Sequence, residues 1–123
     1  MISISEADFE SLINQAMASL PKEHTDHIKN VAILYENDPS PEQRSKLELS
    51  DSQTLFGLYE GIPLSRRQGM PTTLPDKITL FKNPLQYSVQ TLPELKEQIR
   101  HTLWHEIAHY YGLNHDQIGK LEK

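Results

Sequence analysis

The sequence predicts an α+β domain in which one helix precedes three strands and a longer helix follows them. Apolar residues recur at helical spacing in two stretches, 9–20 and 95–107, one towards each end of the chain. Between them lie short β-branched and aromatic runs broken by Gly, Pro and polar clusters, the signature of strands and turns. No internal repeat or low-complexity segment interrupts this order, and 123 residues suit one core, so a single domain over 1–123 is expected.

Ser5 is placed to cap the first helix, with Asp8 three residues on, as in a capping box. Phe9, Leu12, Ile13, Ala16, Met17 and Leu20 then fall on one face, and Pro21 closes the element. Asn30 to Glu36, "NVAILYE", reads as a buried strand. The polar stretch from Asn37 to Ser52, with Pro39 and Pro41, reads as a surface loop.

"TLFGLYEGIPL" is a second strand, ended by Gly61-Ile62-Pro63. Gly57 inside it marks either a bulge or a close backbone approach. "SRRQGMPTTLPD" is another loop, and Lys77 to Lys82, "KITLFK", alternates as a third strand. The last helix opens at Thr91, with Glu94 at capping-box spacing and Pro93 tolerated in the first turn. Leu95, Ile99, Leu103 and Ile107 form its core stripe. Gly112 ends it, as a residue free to turn left-handed.

Composition narrows the function. The formal charge is −5, and the 12 Lys and Arg are scattered, so no basic stripe offers itself to nucleic acid. The absence of cysteine excludes disulfides and thiolate metal sites and suits a reducing compartment. The first residues carry acids where a secretory signal has lysines, and no apolar run approaches membrane-spanning length. A soluble, cytoplasmic monomer with no membrane partner is expected.

Four of the six histidines lie between His101 and His115, in "HTLWHEIAHYYGLNH". His105 and His109 are four apart on a helix, so both imidazoles leave one face a turn apart and can share a zinc ion. Glu106 stands beside the metal position, where it can take a proton from a water molecule. Glycine at 112 lets the chain leave the helix, and His115 can return as third ligand. The string is H-E-x-x-H-x-x-G-x-x-H, with three neutral imidazoles and a fourth position for water.

H-E-x-x-H alone arises by chance in roughly a few of every thousand chains this long. The further Gly and His lower that about a thousandfold, which sets aside a helix whose histidines are merely solvated. Asp116 competes with His115 as an oxygen ligand, but the spacing favours His115. His101, one turn before His105, reads as a polar residue on the rim. His24 and His27 read as surface histidines, and Trp104, Tyr110 and Tyr111 as packing residues.

The third ligand resembles that of metzincins, but no methionine follows it to make their Met-turn, and Met70 lies before the motif. The downstream glutamate of gluzincins also has no counterpart, since Glu122 is too close. The chain resembles more closely the small bacterial zincin-like proteins sometimes called minimal zincins, regarded as zinc metallopeptidases. The resemblance runs through "SLP", "NVAILYEND", "LFGLYEGIPL", "LPDKITLFKNPL" and "IRHTLWHEIAHYYGLNHDQI".

It implies a three-stranded sheet packed on an N-terminal helix and a C-terminal active-site helix. It also implies metal ligands at His105, His109 and His115, a general base at Glu106 and Zn2+ as cofactor. In larger zincins the strand above the cleft pairs with substrate backbone, which by resemblance falls on Gly57 to Glu60. The expected activity is zinc-dependent hydrolysis of peptides or unstructured protein, with Tyr59 a loose candidate for stabilising the oxyanion. The alternative is a non-catalytic zinc-binding module acting through protein contacts. An interaction domain with an incidental motif is the weakest of the three readings.

Overall fold

The computed structural model describes residues 2–25, 28, 31–46, 55–61 and 76–112. The first helix, α1 (Glu6–Ser19), starts where its cap dictates: the Ser5 hydroxyl accepts from the Asp8 amide at 3.1 Å. That bond satisfies one of the donors a helix leaves open at its start. Phe9, Leu12, Ile13 and Ala16 bury the expected stripe, and Leu20 extends it beyond the helix.

The long terminal helix, α5 (Leu92–Tyr111), is capped in the same way. Thr91 Oγ1 accepts from the Glu94 amide at 3.3 Å and donates to the Glu94 carboxylate at 2.9 Å. The helix stops at Gly112, whose φ of 86° is left-handed and whose amide donates to the His109 carbonyl at 2.9 Å. Leu95, Ile99, Leu103 and Ile107 are fully buried, packed with the α1 stripe in one core.

The strands β1 (Val31–Glu36), β2 (Gly57–Glu60) and β3 (Asp76–Phe81) form a sheet in the order β1-β3-β2. β1 runs parallel to β3, with Ile33 opposite Ile78, and β2 runs antiparallel to it, with Tyr59 opposite Ile78. α5 packs against β2 and β3. A mixed sheet on two long helices is the α+β arrangement expected.

Several elements differ from expectation. Among the described residues β1 is an edge strand, mostly half-buried with Leu34 45% exposed, not a buried strand. The buried centre is β3, where only Lys77 is exposed. The second strand is shorter than expected, although pairing continues as the Phe81 amide donates to the Phe56 carbonyl at 2.9 Å.

Three short helices interrupt segments read as loop or strand: α2 (Lys22–Thr25), α3 (Pro41–Lys46) and α4 (Lys82–Tyr87). α3 lies inside the supposed 37–52 loop. Its start is a full capping box, with the Ser40 amide donating to Gln43 Oε1 at 2.8 Å and Ser40 Oγ accepting from the Gln43 amide at 3.1 Å. Residues 47–54, 62–64 and all of the expected loop 65–76 but Asp76, which instead begins β3, lie outside the described residues. Among the described residues no helix is long and apolar enough to cross a membrane.

Candidate metal centre

The 3.6-residue period that buries Leu103 and Ile107 sends His105 and His109 out together on the flank of α5. Their Nε2 atoms are 3.2 Å apart and their rings are inclined at 77°. Two nitrogens bound tetrahedrally to one zinc at about 2.0–2.1 Å would lie about 3.4 Å from each other. The pair therefore fits a single divalent ion as it stands. His105, Glu106 and His109 together offer ligand atoms all within 4.8 Å of one another.

Glu106 is 7% exposed and lies under β2. Burial pushes its carboxyl up from 4.5 to about 7, against the Tyr59 backbone N–H, which donates to the carboxylate and pulls it down. A carboxyl in that range can both take and return a proton near neutral pH.

Gly57 is what lets β2 come this close. A Cβ there would sit 2.8 Å from Thr102 Cγ2, 3.1 Å from Leu80 Cδ2 and 3.3 Å from Glu106 Cγ. Of the two readings of this glycine, close approach is the one the structure supports. Gly57→Ala should push the strand off the helix and destabilise the fold by roughly 1–3 kcal/mol, measured by urea unfolding. An unchanged unfolding midpoint would mean that β2 yields without resistance.

A cavity of about 320 Å³ opens between β2 and α5, lined by Phe56, Gly57, Thr102, His105 and Glu106, with His101 also on its wall. His101 is exposed, as a rim residue should be. The proposed third ligand His115, its competitor Asp116, and His27 lie outside the described residues.

Two other expectations change. His24 is no surface histidine: its ring stacks on Trp104 with centroids 4.2 Å apart, and it is half-buried. Tyr59 does not present its hydroxyl to the cleft; it donates to Asp76 Oδ2 at 2.6 Å, while the ring meets Tyr110 edge-on. The residue's contribution to the site is its main-chain N–H, which no side-chain pattern could reveal. Trp104 and Tyr110 are buried as packing residues, and the half-buried Tyr111 donates its hydroxyl to the His24 carbonyl at 2.6 Å.

An H-E-x-x-H helix lying beneath the end strand of a mixed sheet, with its glutamate buried against that strand, defines a zincin-type protein. The model of the family described as zincin-like metallopeptidase matches residues 28–123, and the chain belongs to that family. No curated protein matches the sequence. Among solved structures, a conserved hypothetical protein from Thermus thermophilus is similar, with 16% identity and a TM-score of 0.57. The match covers 88% of this chain and 94% of that one, a likeness of fold.

Proposed function

We propose that the protein is a zinc-dependent peptidase in which His105, His109 and His115 hold the ion and Glu106 is the general base. The observation that carries this reading is the buried Glu106 carboxyl, raised to about 7 beside two convergent imidazole nitrogens. When bound, the divalent ion supplies Lewis-acid chemistry, polarising the scissile carbonyl and acidifying a water molecule.

The rest falls to the chain. The Tyr59 N–H anchors the Glu106 carboxylate, which takes a proton from the attacking water and delivers it to the leaving amine nitrogen. Gly57 and Thr102 pack beside Glu106, which keeps 7% of its surface exposed. β2 ends the sheet among the described residues, so an extended peptide pairing along its outer edge would lie across the histidines. Short or unstructured peptides suit such an edge better than folded proteins.

The competing reading, a zinc-binding interaction module without turnover, gives the buried carboxyl no use. Structural sites close all four positions with protein ligands, and a carboxyl raised from 4.5 to about 7 is a burden to the fold at any pH above 4.5. The test is a mixed peptide library incubated with zinc-loaded wild type. Cleavage that stops on chelation and returns with zinc supports the peptidase; inertness with one zinc bound supports the module.

The third ligand is tested separately. Loss of an outer partner of a metal ligand weakens affinity by about 10–100-fold, and His115→Ala should cost more than that. An affinity equal to wild type would transfer the role to Asp116. His101→Ala should leave metal content intact.

A further inference from the structure

The short helix α2 holds α5 at two places, one on each side of the turn that carries His105 and His109. Next to His105, the Trp104 ring lies stacked on His24, with centroids 4.2 Å apart and planes within 18° of parallel. Just beyond His109, the Tyr111 hydroxyl donates to the His24 carbonyl at 2.6 Å. A single residue of α2 therefore grips both ends of the metal-binding stretch.

The second grip needs a hydroxyl. A helix as short as α2 cannot satisfy its own last carbonyls. In a longer helix the His24 carbonyl would go to the Ile28 amide, but that amide donates to the Thr25 carbonyl at 3.2 Å. The His24 carbonyl is served instead by Tyr111, whose half-buried ring also meets Tyr110 edge-on at 5.3 Å. Phenylalanine would supply the ring contact and nothing for the carbonyl.

What this bond holds is the last turn of α5. That turn carries His109 and ends at Gly112, where a φ of 86° takes the chain out of the helix. The end of a helix frays first, because its carbonyls have no partners further along. A metal ligand on a fraying turn is in place only part of the time, and the apparent affinity falls with that fraction.

We propose that Tyr111 is a positioning residue for the metal, its hydroxyl tying the ligand-bearing end of α5 to the His24 carbonyl. It acts through the backbone of the last turn, and the assignment rests on the reading of His105 and His109 as ligands.

The experiment measures zinc affinity by competition with a chromophoric chelator, under conditions in which each protein is folded. Tyr111→Phe should bind zinc roughly fivefold more weakly, the worth of about one hydrogen bond. Ile13→Val trims the α1 side of the core, and should lower the urea midpoint while leaving zinc affinity as in the wild type. That comparison separates positioning from general stability. An affinity in Tyr111→Phe equal to wild type, or the same loss in Ile13→Val, would overturn the proposal. Should Tyr111→Phe fail to fold, hydrogen exchange in the metal-free wild type decides. The Tyr111 and Gly112 amides should be protected with the rest of α5, and exchange at the rate of an unstructured chain would overturn the tie. Failure of the ligand reading looks different: the wild type itself would bind no zinc.

Discussion

Glu106→Gln should yield a protein that binds zinc as the wild type does and cleaves peptides at least a hundredfold more slowly. A positioned general base is typically worth about 10²–10⁴ in rate, and Glu106 is the buried carboxyl next to the two imidazoles. Glutamine preserves its size and can still accept from the Tyr59 N–H, so the main chain around it has no reason to move. The measurement is kcat/KM on one cleaved peptide, with zinc content determined on the same samples. Equal rates for the two proteins would remove Glu106 from the chemistry, and a variant that has lost its zinc would make it a ligand instead.

The same carboxyl should imprint itself on stability in the metal-free protein. Below pH 4.5 Glu106 is protonated whether the chain is folded or not. Between 4.5 and about 7 the unfolded chain gives up that proton while the folded one keeps it, so stability falls as pH rises. Above about 7 both forms are ionised and the full loss, about 3 kcal/mol, remains. Chelated wild type should therefore lose that much between pH 4 and pH 8 relative to Glu106→Gln, as followed by urea unfolding of both. Taking the difference removes the titration common to both proteins. Parallel curves would mean that the carboxyl is solvated rather than enclosed between β2 and α5.

What the sequence made legible was largely local. Ser5, Thr91 and Gly112 mark helix ends because a cap is a contact between neighbours in the chain, and all three ends fall where expected. His105, Glu106 and His109 come together because four residues are about one helical turn, whatever the rest of the fold does. Position in the sheet was less accessible. β1 is apolar and β-branched, yet among the described residues it sits at an edge, while "KITLF" takes the centre. A strand's neighbours follow from the path of the chain, and no run of residues encodes that by itself.

Other differences have equally physical sources. The Ser40 and Gln43 capping box of α3 went unread, because two prolines and a polar composition pointed to a loop. α2 and α4 are too short to show a period, and α4 carries Pro84 inside it. His24 reads as a surface residue because its burial comes from Trp104, far along the chain. Gly57 signalled a bulge or a close approach without deciding between them, and the atoms approached, on Thr102 and Glu106, were beyond any sequence pattern.

X-ray absorption at the zinc edge on protein loaded with one equivalent of metal goes to the centre of this account. Three imidazole nitrogens and one exchangeable oxygen at about 2.0–2.1 Å are predicted, falling to two imidazoles in His115→Ala. A shell saturated by four protein ligands, or zinc that keeps its coordination when His105 and His109 are both replaced, would contradict it.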